Sequence, residues 1–178
     1  MYKSVLDYFE ETVKRVPEKK AIRHNEDDCT FAMLQEQAQK LGSYMIELVG
    51  DIKNRPIVVL LPKSMDAVVA DLGISYSCNI FNNLDVKTPV HRLENIIKLL
   101  KPVMVITNNA YKDMLSWQEY DVKLLNLDET VLCDININAE ELEKRRKELI
   151  DTDPFCIINT SGSTGTPKGV VLNYKSFF

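Results

Sequence analysis

The most informative stretch of the chain covers residues 157–172: Ile157-Ile158-Asn159-Thr160-Ser161-Gly162-Ser163-Thr164-Gly165-Thr166-Pro167-Lys168-Gly169-Val170-Val171-Leu172. Two apolar runs enclose ten residues that are rich in glycine, serine and threonine and contain one lysine. Short apolar runs with β-branched residues are typical of buried strands. The stretch therefore predicts two strands joined by a long polar loop, without any carboxylate between Pro154 and Val171.

The loop has the composition of a phosphate-binding site. Three of the six glycines in the chain, Gly162, Gly165 and Gly169, fall within eight residues. Glycine permits positive φ, so successive N–H groups can turn towards an anion, and it lacks the Cβ that would hold a polyanion away from the backbone. Lys168 adds one compact positive charge. Neutral hydroxyl donors come from Thr160, Ser161, Ser163, Thr164 and Thr166.

Other loop types fit the sequence less well. A plain turn also favours Gly, Ser and Thr, but it needs about four residues, whereas this loop has ten. A Walker A loop needs glycine at 167, serine or threonine at 169 and then a helix, whereas the chain has Pro167, Gly169 and an apolar run. A nucleophile elbow centred on Ser163 would need glycine at 161, and a Rossmann fingerprint would need glycine at 164.

Upstream of the loop, short apolar runs alternate with amphipathic segments. The predicted strands cover residues 21–24, 57–61, 78–81, 103–106 and 123–125. The predicted helices begin near residues 5, 34, 65, 89 and 139, and Ser64 and Thr88 are the expected N-caps of two of them. One helical stripe recurs at steps of four and three residues: Leu34, Ala38, Leu41, Met45 and Leu48. This alternation predicts an α/β fold with a mainly parallel sheet flanked by helices.

Charged residues lead to two local predictions. Residues 25–28 are Asn-Glu-Asp-Asp and predict a turn after the strand at 21–24. Residues 139–150 predict a helix whose opposite charges are spaced four apart, as in Glu141 and Arg145. We interpret this spacing as a solvated face, not as a binding patch.

The composition excludes several classes of protein. With 45% hydrophobic and 27% charged residues, the chain is not disordered. A net charge of −4 disfavours nucleic-acid binding that depends on basic charge. No apolar run approaches the roughly 18 residues of a membrane span and the N-terminus quickly becomes acidic, so we expect a cytoplasmic protein without a signal peptide. The four cysteines and two histidines lack zinc-site spacing, so we expect reduced thiols and no metal site.

The loop resembles the AMP-binding loop of the adenylate-forming superfamily, which comprises acyl-CoA synthetases, the adenylation domains of non-ribosomal peptide synthetases, and luciferases. Residues 160–169 match that loop at every position. Residues 30–34 are similar to the family's T-Y-x-E-L segment, with Met33 where glutamate is usual. Residues 84–93 are similar to its L-D-P-x-x-P-x-x-R-L segment, so the resemblance covers nearly the whole chain.

This resemblance implies the fold of the first subdomain of the large N-terminal domain of these enzymes. It also implies that the loop holds the β- and γ-phosphates of ATP, with Mg²⁺ ligands located downstream. The implied phosphate contacts are Thr160, Ser161, Gly162, Ser163, Thr164, Gly165 and Lys168. We expect no proton-transfer catalyst among them, and we expect Asp85 to form a turn, not a substrate contact.

The implied reaction has two steps. A substrate carboxylate attacks the α-phosphorus of ATP to give an acyl-adenylate and pyrophosphate, and the thiol of a phosphopantetheine carrier protein or of CoA then takes the acyl group. The segment 84–93 favours an amino acid as the substrate, as in peptide synthetases. An acyl-CoA synthetase acting on a fatty or aryl acid stays open as the alternative.

We expect residues 1–178 to be an N-terminal subdomain that ends just after the loop and is inactive alone. The adenine pocket, the magnesium-binding glutamate and the mobile C-terminal domain would lie downstream. Two further hypotheses compete with this one. An unrelated phosphate-binding enzyme, such as a kinase, predicts a helix immediately after Lys168. A non-catalytic binding module would keep the loop as a relic.

Overall fold

The computed structural model describes residues 4–24, 27–161 and 167–177. The α-helices are α1 (Val5–Arg15), α2 (Phe31–Val49), α3 (Met65–Tyr76), α4 (Val90–Leu100) and α5 (Ala139–Glu148). The strands are β1 (Lys20–His24), β2 (Asp27–Thr30), β3 (Pro56–Val59), β4 (Ile80–Asn83), β5 (Met104–Thr107), β6 (Lys123–Asn126), β7 (Pro154–Ser161) and β8 (Pro167–Asn173). Short 3₁₀ helices cover Trp117–Glu119, Leu132–Asp134 and Tyr174–Phe177.

Six strands form one sheet in the order β6-β5-β3-β4-β7-β8. Each neighbouring pair from β6 to β7 is parallel, and only the β7–β8 hairpin at the end of this sheet is antiparallel. Strands β1 and β2 form a separate antiparallel pair. The predicted α/β class and the mainly parallel sheet are therefore confirmed.

The central strand β3 is buried on both faces, as its unbroken apolar run predicted. Ile57 and Val59 pack into a cluster with Leu41 of α2 and Ile74 of α3. Val58 faces the other way, into a second cluster that includes Leu93, Ile96 and Ile97 of α4. Because successive side chains point to opposite faces of a strand, this one run supplies the core of two layers. The predicted stripe of α2 is buried at Leu34, Ala38, Leu41 and Met45.

Of the two predicted N-cap residues, Ser64 is confirmed and Thr88 is not. Ser64 caps α3 as expected, since its Oγ accepts a hydrogen bond from the N–H of Ala67 at 3.3 Å. The prediction for Thr88 was wrong, because Pro89 occupies the N-cap of α4 and makes no side-chain hydrogen bond. The backbone N–H of Thr88 donates instead to the carbonyl of Asp85 at 2.8 Å, which closes the turn before the helix.

Two local sequence predictions need correction. Residues 27–30 form strand β2, whereas a turn was predicted over 25–28. The acidic Asp28 is tolerated in this strand because Lys20 and Arg23 of β1 form ion pairs with it. Strand β4 begins at Ile80 instead of residue 78, because Cys78 has a φ of 58° and so ends the preceding turn.

Helix α5 also differs from its predicted role. Arg145 was expected on a solvated face, but its side chain is 1% exposed. Its guanidinium bonds to the carboxylates of Glu141 at 2.8 Å and Asp51 at 3.0 Å. It also donates to three backbone carbonyl oxygens, those of Gly50, Ile52 and Ser77. Arg145 therefore fastens α5 to the segments that follow α2 and α3.

Candidate phosphate site at the carboxyl edge of the sheet

The carboxyl ends of the five parallel strands meet at one edge of the sheet. In an open α/β sheet this edge is where ligands bind. The strand ends that matter most here are Asn83 of β4 and Ser161 of β7, which belong to neighbouring strands. Because β7 runs parallel to β4, the end of the hairpin where β7 ends and β8 begins lies at this same edge.

The hairpin brings two predicted phosphate contacts into register. Thr160 and Lys168 are directly opposite each other in the antiparallel pairing, and the Thr160 hydroxyl donates to the carbonyl of Lys168 at 3.4 Å. Both residues are exposed, and Lys168 forms no ion pair with any residue that the structure describes. The lysine charge is therefore available to a bound anion.

The other predicted contacts are only partly described. Ser161 is the last residue of β7 and is opposite Pro167 at the base of the loop. Gly162, Ser163, Thr164 and Gly165 lie outside the described residues. The assignment of these seven residues to phosphate binding thus stays a prediction.

The strand after the lysine separates two of the sequence hypotheses. Lys168 lies within β8, which continues as a strand to Asn173. The hypothesis of an unrelated kinase-like phosphate site required a helix immediately after Lys168, and that hypothesis is therefore wrong. The two apolar runs around the loop are both strands, as predicted.

Gly169 allows the two strands of the hairpin and α4 to pack closely. A Cβ on this residue would lie 3.1 Å from Cγ2 of Ile157 and 3.7 Å from Cδ2 of Leu100. Gly169 belongs to the glycine cluster of the sequence, and in the structure it provides steric clearance on β8.

Two asparagines that the sequence analysis did not single out link the hairpin to β4. Asn82 is fully buried, and its Nδ2 donates to the carbonyl of Ile157 at 2.7 Å. Its Oδ1 accepts a hydrogen bond from Nδ2 of Asn159 at 3.0 Å. Asn159 directly precedes Thr160, so these bonds reach the last residues before the loop. Sequence spacing gave no signal for this pair, because 77 residues separate its members.

The end of β4 borders two grooves. One, of about 640 Å³, lies beside the hairpin and is lined by the apolar residues Phe81, Phe155 and Ile157 and by the charged residues Arg92 and Asp85. Asp85 serves the local turn as predicted, since its Oδ1 accepts from the N–H of Lys87 at 2.8 Å. A carboxylate held in this way is a structural element of the edge.

The second groove, of about 730 Å³, lies on the α3 side of the same edge and is lined by Lys63, Lys87 and Asp71. Burial raises the pKa of the Asp71 carboxyl to about 6, although the hydrogen bond from Asn83 at 2.9 Å opposes that shift. The second carboxyl oxygen of Asp71 is buried without a hydrogen-bond partner among the described residues. A burial-driven rise of this kind marks a carboxyl group that is partly protonated near neutral pH.

The described residues contain no group of three His, Cys, Asp or Glu side chains placed to hold a metal ion. All four cysteines are free, and three of them, Cys29, Cys78 and Cys156, are buried. Burial raises the pKa of the Cys78 thiol to about 12, which makes it a poor nucleophile. None of the helices described here combines the length and the apolar character that a membrane span requires.

Comparison with known proteins gives one consistent result. The family model described as "AMP-binding enzyme" matches residues 9–178. A dimodular nonribosomal peptide synthase of Bacillus subtilis (strain 168) is 31% identical over 173 residues. That match covers 97% of this chain but only 7% of the synthase.

Solved structures show the same fold. The N-terminal subdomain of Klebsiella oxytoca NpsA, in complex with 3-hydroxybenzoyl-AMSN, aligns with a TM-score of 0.76 and 18% identity over 98% of this chain and 42% of that chain. The complex of VinN with 3-methylaspartate aligns with a TM-score of 0.78 and 22% identity over 97% of this chain and 48% of that one. Residues 1–178 thus span less than half the length of these solved chains.

Proposed function

The chain belongs to the AMP-binding enzyme family, and from that membership we propose that it is the N-terminal subdomain of an ATP-dependent ligase that forms acyl-adenylates. In the proposed reaction the carboxylate of a small acid attacks the α-phosphorus of ATP and pyrophosphate leaves. A thiol then attacks the acyl carbon and releases AMP. The proposed enzyme works where ATP is available, in the cytoplasm, and its further parts lie outside residues 1–178.

One observation carries this proposal: the exposed pairing of Thr160 with Lys168 at the carboxyl edge of the sheet. Between them the sequence supplies hydroxyl and glycine residues without a carboxylate. Such a loop donates backbone and hydroxyl hydrogen bonds to phosphate oxygens, and the lysine balances part of the charge. The proposed contacts of the ATP phosphates are Thr160, Ser161, Gly162, Ser163, Thr164, Gly165 and Lys168.

These residues would act by position and charge, not by proton transfer. They hold the polyphosphate so that the α-phosphorus faces the acid, and they stabilise the charge that develops on the departing pyrophosphate. Hydroxyl, amide and ammonium groups fit a phosphate ligand. As the family resemblance implies, we propose that the protein ligands of the Mg²⁺ that accompanies ATP lie downstream of this chain.

We favour an amino acid as the substrate and a carrier-protein thiol as the acceptor. The similarity to a dimodular nonribosomal peptide synthase supports both choices, and the fold neighbour VinN was solved with 3-methylaspartate. The alternative is an acyl-CoA synthetase acting on an aryl or fatty acid. The aryl-acid part of this alternative draws support from the 3-hydroxybenzoyl ligand of the NpsA subdomain.

The test measures the exchange of radioactive pyrophosphate into ATP in the presence of an added carboxylic acid. It uses the full-length protein that contains this chain. Parallel panels of amino acids, aryl acids and fatty acids identify the substrate class, and product analysis distinguishes AMP from ADP. The proposal predicts exchange with at least one amino acid and AMP as the product. Exchange with aryl or fatty acids alone would support the alternative substrate class. No exchange with any acid would support a non-catalytic binding module.

A further inference from the structure

Towards the carboxyl edge of the sheet, the contact between β4 and β7 changes from backbone pairing to a side-chain hydrogen bond. The described backbone pairing of these two strands is at Phe81 and Cys156. One residue further on, the connection is made by an amide side chain, because Asn82 donates from Nδ2 to the carbonyl of Ile157 at 2.7 Å. A side chain therefore holds β7 against β4 just where the hairpin approaches the proposed phosphate site.

Asn82 also determines the environment of Asn159. The Oδ1 of Asn82 accepts from Nδ2 of Asn159 at 3.0 Å. Among the described residues, Asn82 is the only hydrogen-bond partner of the Asn159 side chain, whose own Oδ1 is buried and unpartnered. Asn159 in turn is paired across the hairpin with Gly169, next to the pair Thr160 and Lys168.

We propose that Asn82 is a positioning residue for ATP, which acts through Ile157 and Asn159 by fixing the base of the hairpin that carries Thr160 and Lys168. This inference rests on the proposed function. A buried amide whose donor and acceptor are both used gives a hairpin one defined position. Removing it leaves the Ile157 carbonyl and the Asn159 amide without those bonds, so the base of the hairpin shifts.

Asn79 provides a matched control near the opposite end of β4. It is 1% exposed, and its Nδ2 donates to the carbonyl of Ile52 at 3.1 Å and to the Oγ of Ser77 at 3.1 Å. Its Oδ1 accepts from the N–H of Arg55 at 3.1 Å. Asn79 is thus buried and hydrogen-bonded like Asn82, but it lies next to the amino end of β4, away from the end of the hairpin that carries Thr160 and Lys168. A purely structural role would give the two asparagines the same phenotype.

The experiment compares Asn82→Ala with Asn79→Ala in the full-length protein, using pyrophosphate exchange and urea unfolding. We expect Asn82→Ala to raise the KM for ATP about tenfold, the effect of losing roughly one hydrogen bond to a phosphate oxygen, while the KM for the acid stays unchanged. Asn79→Ala lowers the stability but leaves both KM values unchanged. Equal KM values for ATP in Asn82→Ala and the unsubstituted protein, or the same rise in Asn79→Ala, would overturn the inference.

Asn159→Ala tests the route of the effect and replaces Asn82→Ala if that variant does not fold. We expect it to raise the KM for ATP by no more than Asn82→Ala does, because it removes only the bond between the two asparagines. The double variant should match Asn82→Ala, since that variant already lacks this bond. Effects that multiply in the double variant, or an unchanged KM in Asn159→Ala, would contradict the proposed route. Exchange that is absent already in the unsubstituted protein would overturn the proposed function itself, and is therefore distinguishable from a failure of this inference.

Discussion

Replacing the buried Arg145 with alanine should destabilise the protein far more than its place on a charged helix suggests. The guanidinium makes five hydrogen bonds that join α5 to the chain after α2 and after α3. Its neighbour on the same helix, Lys147, has a side chain that is 74% exposed and approaches Glu143 at 3.7 Å. Two residues of one charged helix thus contribute through different physical mechanisms.

The magnitude follows from what Arg145 leaves behind. Losing one partner of a buried ion pair costs about 3–5 kcal/mol. Here the lower part of that range applies, because the Asp51 side chain is 75% exposed and the carbonyls of Ile52 and Ser77 keep a hydrogen bond from Asn79. Alanine keeps the β-carbon, so the substitution removes two buried methylenes, which contribute about 0.8 kcal/mol each through lost burial. We therefore expect a loss of about 4–5 kcal/mol in the free energy of unfolding.

The assay is urea unfolding followed by circular dichroism at pH 7, with Lys147→Ala as the matched control. The control should change the free energy of unfolding by less than about 0.5 kcal/mol. Equal values for the two variants would refute the reasoning, because they would mean that the buried network contributes no more than a surface ion pair.

The same network predicts a dependence on pH. The hydrogen bond from Arg145 holds the pKa of the Glu141 carboxyl below its usual range. A lowered pKa in the folded state gives stability that is present above the unfolded pKa and is lost as the pH falls through the folded pKa. The stability difference between the unsubstituted protein and Arg145→Ala should therefore shrink in acid. A difference that does not change between pH 7 and pH 3 would contradict this linkage.

Two further substitutions test the carboxyl edge of the sheet. Asp71→Asn should stabilise the protein at pH 7.5 by about 1–3 kcal/mol, because burial raises the folded pKa of Asp71 to about 6 and so penalises the ionised form above that pH. Measured by urea unfolding, this gain in the free energy of unfolding should vanish near pH 4. An equal gain at both pH values would contradict the presence of a buried charge. Gly169→Ala should lower the free energy of unfolding by about 1 kcal/mol, since its Cβ would press on Cγ2 of Ile157. The cost should be smaller in an Ile157→Leu background, which lacks that methyl group, and an undiminished cost there would show that the close contact is not its cause.

The sequence predicted the features that depend on local spacing. The stripe from Leu34 to Met45 is buried along α2 because a helix brings residues three and four apart onto one face. The strand at β3 was predictable because only a segment covered on both sides can be apolar without interruption. The hairpin β7–β8 was predicted for the same reason, from two apolar runs around a polar loop.

The features that were missed depend on distant parts of the chain. The i, i+4 spacing of Glu141 and Arg145 is real, but it cannot reveal that residues 50–52 and 77 cover the guanidinium. The turn predicted at 25–28 followed from acidic and amide residues, whereas Lys20 and Arg23 neutralise Asp28 across a strand pair.

The candidate site likewise contains residues that the sequence predicted and one that it did not. Thr160 and Lys168 were identified from the sequence of their loop, because the residues predicted to bind phosphate lie close together along the chain. Asn82 was not, since its importance arises only when β4 and β7 become neighbours in the sheet. Groups that bind a ligand can thus be found from local sequence more readily than the groups that hold them in position.

The most direct test of the central claim is the KM for ATP of Lys168→Ala in pyrophosphate exchange, with Lys175→Ala as the control. Both lysines are exposed, but Lys175 follows β8 at the far end of the hairpin. A lost charge-assisted hydrogen bond to phosphate is worth about 1.5–3 kcal/mol, which corresponds to a rise of about 10- to 150-fold in KM. We expect that rise for Lys168→Ala alone, with the stability of both variants unchanged. An unchanged KM for ATP in Lys168→Ala would contradict the claim that this loop holds the polyphosphate.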